Sequence, residues 1–483
     1  MYDVEPGLYI DGHWRAGEGR RTIPVVNPAT EEVLAHLPLA NEQDIADALA
    51  SSQEGFEIWR TISAWDRQVL MNRAADLIQV RRENLAHVLT LENGKPLADA
   101  EGEIDRVVET IKWCAEEGKR AYGRLLPPRQ PELVQTTMKR PIGPVAAFAP
   151  WNFPAVLVAR KVAAALAAGC SVVVKPAEET PGVCVGVIRA FIDAGLPKGV
   201  INMLFGEPSQ VSELLIASPI TRKVSFTGSV SVGRLLSTLA AKQLKPVTME
   251  LGGHSPVVVF DDVDVQAVAR ACAGFKFRNA GQVCVSASRF FVHDRVYEEF
   301  TRHFVEFANA VKVGNGLEAG ISMGPLANVR RLESTMELVA DAKARGATVA
   351  AGGNRMFERG YFFQPTVLTD LDPQSRILHE EPFCPVAPIM PFSDFDEVMQ
   401  RANGVDFGLA AYAFTNSIKR AAAVSEGFDA GWIGINNFTP ALADAPISGT
   451  KQSGIGHEGG PEGLDAYLQT RFVSQASSVE SVK

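Results

Sequence analysis

Short apolar runs alternate with longer amphipathic stretches from residue 145 onward, and this pattern predicts strands and helices in turn. Residues 145–149 are a short apolar run, and 158–168 is an Ala-rich helical stretch. Ser-Val-Val-Val-Lys at 171–175 predicts a strand ended by Pro176. A helix over 183–194 follows and closes at Gly195-Leu196-Pro197. A strand at 200–205, a helix at 211–217 and a strand at 223–226 complete a βαβα series, which predicts a mostly parallel sheet. A second alternation begins at Ser255, with strands at 256–260 and 289–293 and helices at 265–273 and 295–310. Two α/β domains are therefore expected, joined near 250–254. Earlier in the chain, 42–53 and 66–82 have helical spacing, with Met71, Ala74, Ala75 and Ile78 as candidate core.

Composition narrows the class. The chain has 483 residues, 46% hydrophobic and 21% charged, within the range of soluble multidomain proteins. Its net charge of −9 and lack of a basic run argue against nucleic acid or an anionic membrane as main partner. Residues 1–10 carry Asp3 and Glu5 and no apolar core, so no secretory signal is expected. The most apolar stretch, 143–159, is broken by three prolines and followed by Arg160 and Lys161, too short to span a bilayer. Cys114, Cys170, Cys184, Cys272, Cys284 and Cys384 form no CxxC pair. They are expected to be reduced thiols in a cytoplasmic protein. No metal is expected.

Four constellations carry chemistry. In Phe277-Arg278-Asn279-Ala280-Gly281-Gln282-Val283-Cys284, small residues allow close backbone approach to a cysteine, and Asn279 and Gln282 supply hydrogen bonds. In Met249-Glu250-Leu251-Gly252-Gly253-His254, a carboxylate ends a strand at a Gly-Gly turn, where it can serve as a general base. In Pro150-Trp151-Asn152-Phe153-Pro154, two prolines hold an amide donor rigid, as an oxyanion hole requires. In Phe226-Thr227-Gly228-Ser229-Val230-Ser231-Val232-Gly233, a strand runs into a helix start that can attract phosphate. Lys175 and Glu178, at and after an earlier strand end, could hold ribose hydroxyls. Taken singly, each admits a plainer reading: a packed core thiol, a surface glutamate, an Asx turn, a simple strand-to-helix turn, a solvated strand end.

In this order, Asn152, Lys175/Glu178, Gly228/Gly233, Glu250 and Cys284 together resemble the aldehyde dehydrogenase superfamily. The resemblance extends from Ile10-Asp11-Gly12 and Asn27-Pro28 through Glu381-Pro382-Phe383 to Ser453-Gly454-Ile455-Gly456. It implies an α/β fold with a Rossmann-like NAD-binding domain (1–122 and 143–250) and an α/β catalytic domain (251–445). It also implies a bridging oligomerisation element (123–142 and 462–483). That bridge would combine 124–139, whose Val134-Gln135-Thr136-Thr137-Met138 run is rich in strand formers, with 466–473. Covering the exposed edges there would make a homodimer or homotetramer. Residues 474–483 are polar and expected to fray.

The resemblance also implies roles. Cys284 attacks the aldehyde, the Asn152 amide and the Cys284 backbone N–H hold the oxyanion, and Glu250 activates the water that hydrolyses the thioester. Lys161 and Glu458 match a proton relay, with a surface salt bridge as the other account of them. NAD, or NADP, would contact Lys175 and Glu178 at the adenosine ribose and Ser229 at the pyrophosphate. Gly228 and Gly233 would shape that turn, Glu381 and Phe383 would meet the nicotinamide ribose, and Trp151 and Leu251 would line the cleft. The Glu178 charge would repel a 2′-phosphate and so favours NAD.

Some positions depart from the family pattern: His254 after Glu-Leu-Gly-Gly, Pro382, Cys384 in place of Gly, and Pro446-Ile447-Ser448-Gly449 in place of Pro-Phe-Gly-Gly. Within the superfamily the chain most resembles succinate-semialdehyde and α-ketoglutaric-semialdehyde dehydrogenases. Arg160 and Arg278 look like the arginines that hold a remote carboxylate, a structural ion pair being the alternative for each. The loop Thr439-Pro440-Ala441-Leu442-Ala443-Asp444 lacks the serine of the succinate-semialdehyde group and is closer to the α-ketoglutaric one. Rival readings are a CoA-acylating dehydrogenase, which Glu250 opposes, an oxidiser of amine aldehydes, which the arginines oppose, and a non-catalytic protein on the same fold.

Overall fold

A computed structural model of the chain describes residues 2–438 and 442–476. The βαβα series closes into an eight-stranded sheet. Its five central strands are parallel and run, in spatial order, Ile201–Met203, Val172–Lys175, Val145–Phe148, Lys223–Thr227 and Val247–Glu250. Leu8–Ile10 with His13–Arg15 on one side, and Gly454–Ile455 on the other, complete it antiparallel. The central strands are short and buried on both faces, so they read as unbroken apolar runs. Their registers align Phe148 with Lys175 and Thr227 with Glu250, so the C-terminal strand ends share one edge.

The helices sit close to their expected positions. The stretch expected at 158–168 begins earlier, as Pro154–Ala168, because Pro154 lacks the N–H that a first helical residue does not need. Its first free amides, Ala155 and Val156, donate instead to the buried Glu103 carboxylate at 3.0 and 3.2 Å. Glu42–Trp59 and Ala64–Val80 form in the first hundred residues, and Met71, Ala74, Ala75 and Ile78 are fully buried.

The second alternation builds a seven-stranded sheet, from Thr348–Ala351 at one edge to Trp432–Ile435 at the other. Ser255–Val259, Ala287–His293 and Ala410–Phe414 pair in parallel at its middle. Each large sheet has its own hydrophobic core, one drawn from residues 8–251 with Leu464 and Tyr467, the other from 257–428. The chain passes between them at the Gly252-Gly253 turn, directly after Glu250.

A third, antiparallel sheet joins Arg124–Leu126, Leu133–Pro141 and Leu468–Ala476, with Leu468 opposite Pro141 and Ala476 opposite Leu133. Ser474, expected to fray, instead pairs with Gln135, since nine residues of backbone partner are available to it. Residues 477–483, and 439–441 of the loop compared above, lie outside the described residues. Leu125, Val134 and Phe472 on this sheet are exposed. Among the described residues, no helix is long and apolar enough to cross a membrane.

Candidate active site

Cys284 is the one half-buried cysteine; the other five are buried, and all six are free thiols. It follows a loop with three successive positive φ angles, Asn279 at 48°, Ala280 at 53° and Gly281 at 72°. Such backbone is costly for Asn and Ala and persists only when neighbours hold it. The fully buried Gln282 does so, donating to the Asn279 carbonyl at 3.0 Å and accepting from the Ala327 amide at 2.9 Å. Gly253 is needed from the opposite side: a Cβ there would lie 2.6 Å from the Cys284 carbonyl oxygen. The Cys284 loop and the turn after Glu250 are thus pressed backbone to backbone.

Asn152 is pinned from three directions. Lys95 and Asn279 donate to its carbonyl at 2.9 and 3.2 Å, and Asn93 donates to the Trp151 carbonyl at 2.9 Å. Its own Nδ2 donates to the Gln282 carbonyl at 3.2 Å. An amide nitrogen carries two hydrogens, so one remains for a second acceptor. Asn152 and Cys284 line the same cavity.

Glu250 is buried, so the surface-glutamate reading is wrong. Neither carboxylate oxygen has a hydrogen-bond partner among the described residues. Burial first, and then the nearby Glu458 carboxylate, push its pKa well above the ordinary glutamate range. Burial, with Glu381 and Glu250 nearby, pushes the Cys284 thiol up to about 12. Both shifts disfavour the charged forms, so the thiolate and the carboxylate are each harder to form here than in water.

Lys161 and Glu458 form a buried ion pair, not a surface one. Lys161 also donates to Thr227 Oγ1 at 2.7 Å. Ile447, at one of the positions departing from the family pattern, exchanges both backbone hydrogen bonds with Glu458 at 2.7 and 2.9 Å and so fixes it. His254 is likewise absorbed: its ring nitrogens bond Ser288 Oγ at 2.8 Å and the Ile377 carbonyl at 3.1 Å, and burial keeps it neutral.

On one side of Cys284 lies a cavity at the C-terminal strand edge, where ligands of open α/β sheets bind. Trp151, Gly228, Ser229, Leu251, Glu381 and Phe383 line it. Ser229 caps the helix Val230–Lys242, whose first turn carries no acidic residue to repel a phosphate. Gly252 leaves room for Glu381: a Cβ there would meet its carboxylate at 2.3 Å. Glu381 accepts from the Gly253 amide at 2.9 Å, and burial raises its pKa to about 7. Trp151 and Phe383 meet edge to face at 5.7 Å. These features suit a dinucleotide: a phosphate-tolerant helix start, aromatic walls and a carboxylate able to accept from hydroxyls. Arg331, Arg330 and Asn328 also line this cavity, and no local sequence signal marked them.

Three expected cofactor residues do not line that cavity. Gly233 is buried against Leu251. Lys175 and Glu178 lie at the end of Val172–Lys175 and pair with each other at 2.6 Å, so Lys175 partly offsets the Glu178 charge. Glu178 also accepts from the Gly206 amide at 3.1 Å.

On the other side of Cys284 a mostly apolar pocket holds both expected arginines, with Phe153 and Trp432 among its walls. Arg160 projects from Pro154–Ala168, and Arg278 stands over the Phe153 ring at 5.9 Å. Arg278 faces Asp99 at 3.5 Å, a loose pair in which both groups are partly exposed. Glu250 and Glu458 reach the same pocket. Arg106, which the sequence reading passed over, lines it too. Cys284 therefore sits where a dinucleotide cavity and a cationic, apolar-walled pocket meet.

A strand-edge crevice and a second pocket that share Cys284 suit an NAD(P)-dependent oxidoreductase working on a small carbonyl compound. Residues 14–473 match the aldehyde dehydrogenase family, and the chain belongs to it. It is similar to the 4-(hydroxymethyl)benzenesulfonate dehydrogenase TsaD1 of Comamonas testosteroni, at 44% identity over 97% of this chain and 98% of that one. It is 41% identical to the 3-sulfolactaldehyde dehydrogenase of Pseudomonas putida, over 96% of each chain. Its fold superposes on the succinate-semialdehyde dehydrogenase of Burkholderia pseudomallei with TM-score 0.96 and 41% identity, covering 98% of both chains. The protein is an enzyme, an aldehyde dehydrogenase of the kind that uses NAD(P).

Proposed function

We propose that this enzyme oxidises an aldehyde with an anionic group at its far end to the carboxylic acid, through a thioester on Cys284. The observation that carries the reading is Arg160 and Arg278 together on the wall of the apolar pocket that ends at Cys284. A carboxylate or sulfonate held by these guanidiniums would bring the aldehyde carbon to the sulfur, the orientation that remote binding provides. Succinate semialdehyde is the simplest such substrate, α-ketoglutaric semialdehyde is a longer one, and relatives named for sulfonated substrates support the same charge.

The chemistry follows from the site. Glu250, with both oxygens unpartnered, takes the Cys284 proton, and the thiolate attacks the carbonyl carbon. The free Asn152 N–H and the Cys284 amide hold the developing oxyanion. NAD(P) bound there would supply the hydride acceptor that turns the Cys284–aldehyde adduct into the thioester. Glu250 must first pass the Cys284 proton on, and the neighbouring Glu458–Lys161 pair is the next place for it; ionised again, Glu250 takes a proton from the water that cleaves the thioester. Trp151, Ser229, Leu251, Glu381 and Phe383 would hold the cofactor, with Gly228 and Gly233 shaping its turn. Lys175 and Glu178 would meet its ribose and favour NAD over NADP.

The exposed apolar side chains of the three-stranded sheet support a homodimer or a dimer of dimers. Six unpaired thiols support a reducing, cytoplasmic setting.

The test is steady-state oxidation of succinate semialdehyde and butanal by the wild type and Arg278→Ala. Losing a charge-assisted hydrogen bond costs about 1.5–3 kcal/mol, roughly tenfold or more in kcat/KM. That penalty should fall on succinate semialdehyde far more than on butanal. Equal losses, or a wild type that prefers butanal, would defeat the anionic reading and leave the family assignment intact.

A further inference from the structure

Arg106 lies within Leu97–Glu117, three residues after Glu103, whose carboxylate caps the helix bearing Arg160. The two helices are tied together at that cap, so Arg106 and Arg160 reach the pocket from adjoining walls. Arg278 reaches it from a third element, the segment leading to Cys284. Glu103 and Asp99 offset part of the Arg106 charge, but the Glu103 carboxylate is bonded to Lys95 at 2.6 Å and to two backbone amides rather than to Arg106. Among the described residues Arg106 makes no ion pair, and the Asp99 partner of Arg278 stands off at 3.5 Å. Burial, together with the Arg278 and Arg160 charges, pushes the Arg106 pKa down. Three half-buried guanidiniums gathered on one pocket favour an anion there.

We infer that Arg106 is a third anion-holding residue of this pocket, and that the remote group it selects is a sulfonate rather than a carboxylate. The inference rests on the anionic-aldehyde reading above. A carboxylate is planar and presents two oxygens, which two guanidinium forks satisfy. A sulfonate is tetrahedral and presents three equivalent oxygens, one toward each of three arginines arriving from different walls. Its single charge is spread over three atoms, which eases its entry into a pocket walled by Val156, Leu157, Phe275 and Trp432.

The experiment compares 3-sulfopropanal, succinate semialdehyde and butanal, which share one chain length, on the intact enzyme. In the wild type, kcat/KM should fall in that order. Arg106→Gln should cost 3-sulfopropanal about tenfold or more, the loss of one charge-assisted hydrogen bond, and cost succinate semialdehyde less. Arg106→Lys, which keeps the charge without the fork, should recover part of the loss. Competitive inhibition by 1-propanesulfonate and by butyrate makes the same comparison without turnover, and Arg106→Gln should weaken the former more. Wild-type preference for succinate semialdehyde over 3-sulfopropanal, or an Arg106→Gln loss equal on all three aldehydes, overturns the inference. An order of succinate semialdehyde, 3-sulfopropanal, butanal overturns the sulfonate inference and leaves the anionic-aldehyde reading intact. Butanal in first place would remove the anionic reading as well.

Discussion

A methyl group on Gly281 would lie 2.1 Å from the carbonyl oxygen of Cys384. The two backbones touch because Gly281 has no side chain, and its φ of 72° suits no other residue well. This contact braces the loop that presents Cys284. Gly281→Ala must displace one segment or the other, at a cost of roughly 2–4 kcal/mol from overlap and backbone strain. A lowered thermal midpoint and a large fall in turnover are expected. Wild-type values of both would show that the contact does not hold the Cys284 loop in place.

The pKa of about 12 at Cys284 makes a direct prediction for thiol labelling. The raised value means the thiolate fraction is small at neutral pH and grows about tenfold with each pH unit. Iodoacetamide alkylation of the unliganded enzyme should therefore climb without levelling across about pH 7–10. Glu381→Gln removes the largest charge contribution to that shift and should move the profile to lower pH. A plateau near neutrality in the wild type would contradict this. Cys284→Ala should lose both the labelling and, by roughly a thousandfold or more, the turnover.

Glu250 has the opposite requirement from an acid: it must be ionised to act as a base. Its pKa is raised, so the ionised fraction, and with it thioester hydrolysis, should increase with pH above the ordinary glutamate range. Glu250→Gln should abolish that limb and slow the steady state by about 10²–10⁴-fold. Any turnover that still reaches the thioester would then appear as a rapid burst of NADH followed by a slow phase. Stopped-flow absorbance reads both, and an undiminished steady state in Glu250→Gln would rule out the base.

The Lys161–Glu458 pair is buried from water at both ends. Lys161→Met would strand the Glu458 carboxylate, which for a buried pair costs about 3–5 kcal/mol. Adding Glu458→Leu should restore most of the stability, because a matched apolar pair leaves no uncompensated charge. Chemical unfolding of the two variants tests this, and a single variant as stable as the double one would mean water reaches the pair.

What the chain determined by itself was local. The apolar runs at 145–149 and 171–175 became buried parallel strands because their neighbours in sequence, prolines and helix formers, left no other length or period available. Asn152, Glu250 and Cys284 were legible because each sits where proline or glycine punctuates the chain. The tertiary structure decided the rest. Lys161 and Glu458 are 297 positions apart, and only the docking of Gly454–Ile455 beside Val247–Glu250 brings them together below the surface. Arg106 carries no signal of its own, since an arginine on an amphipathic helix ordinarily faces water. It reaches the pocket because Glu103 caps a helix 52 residues further on, and the crossing of those two helices is not written in either segment alone. Contacts between elements depend on how whole faces pack, and that geometry exists only once both cores have formed.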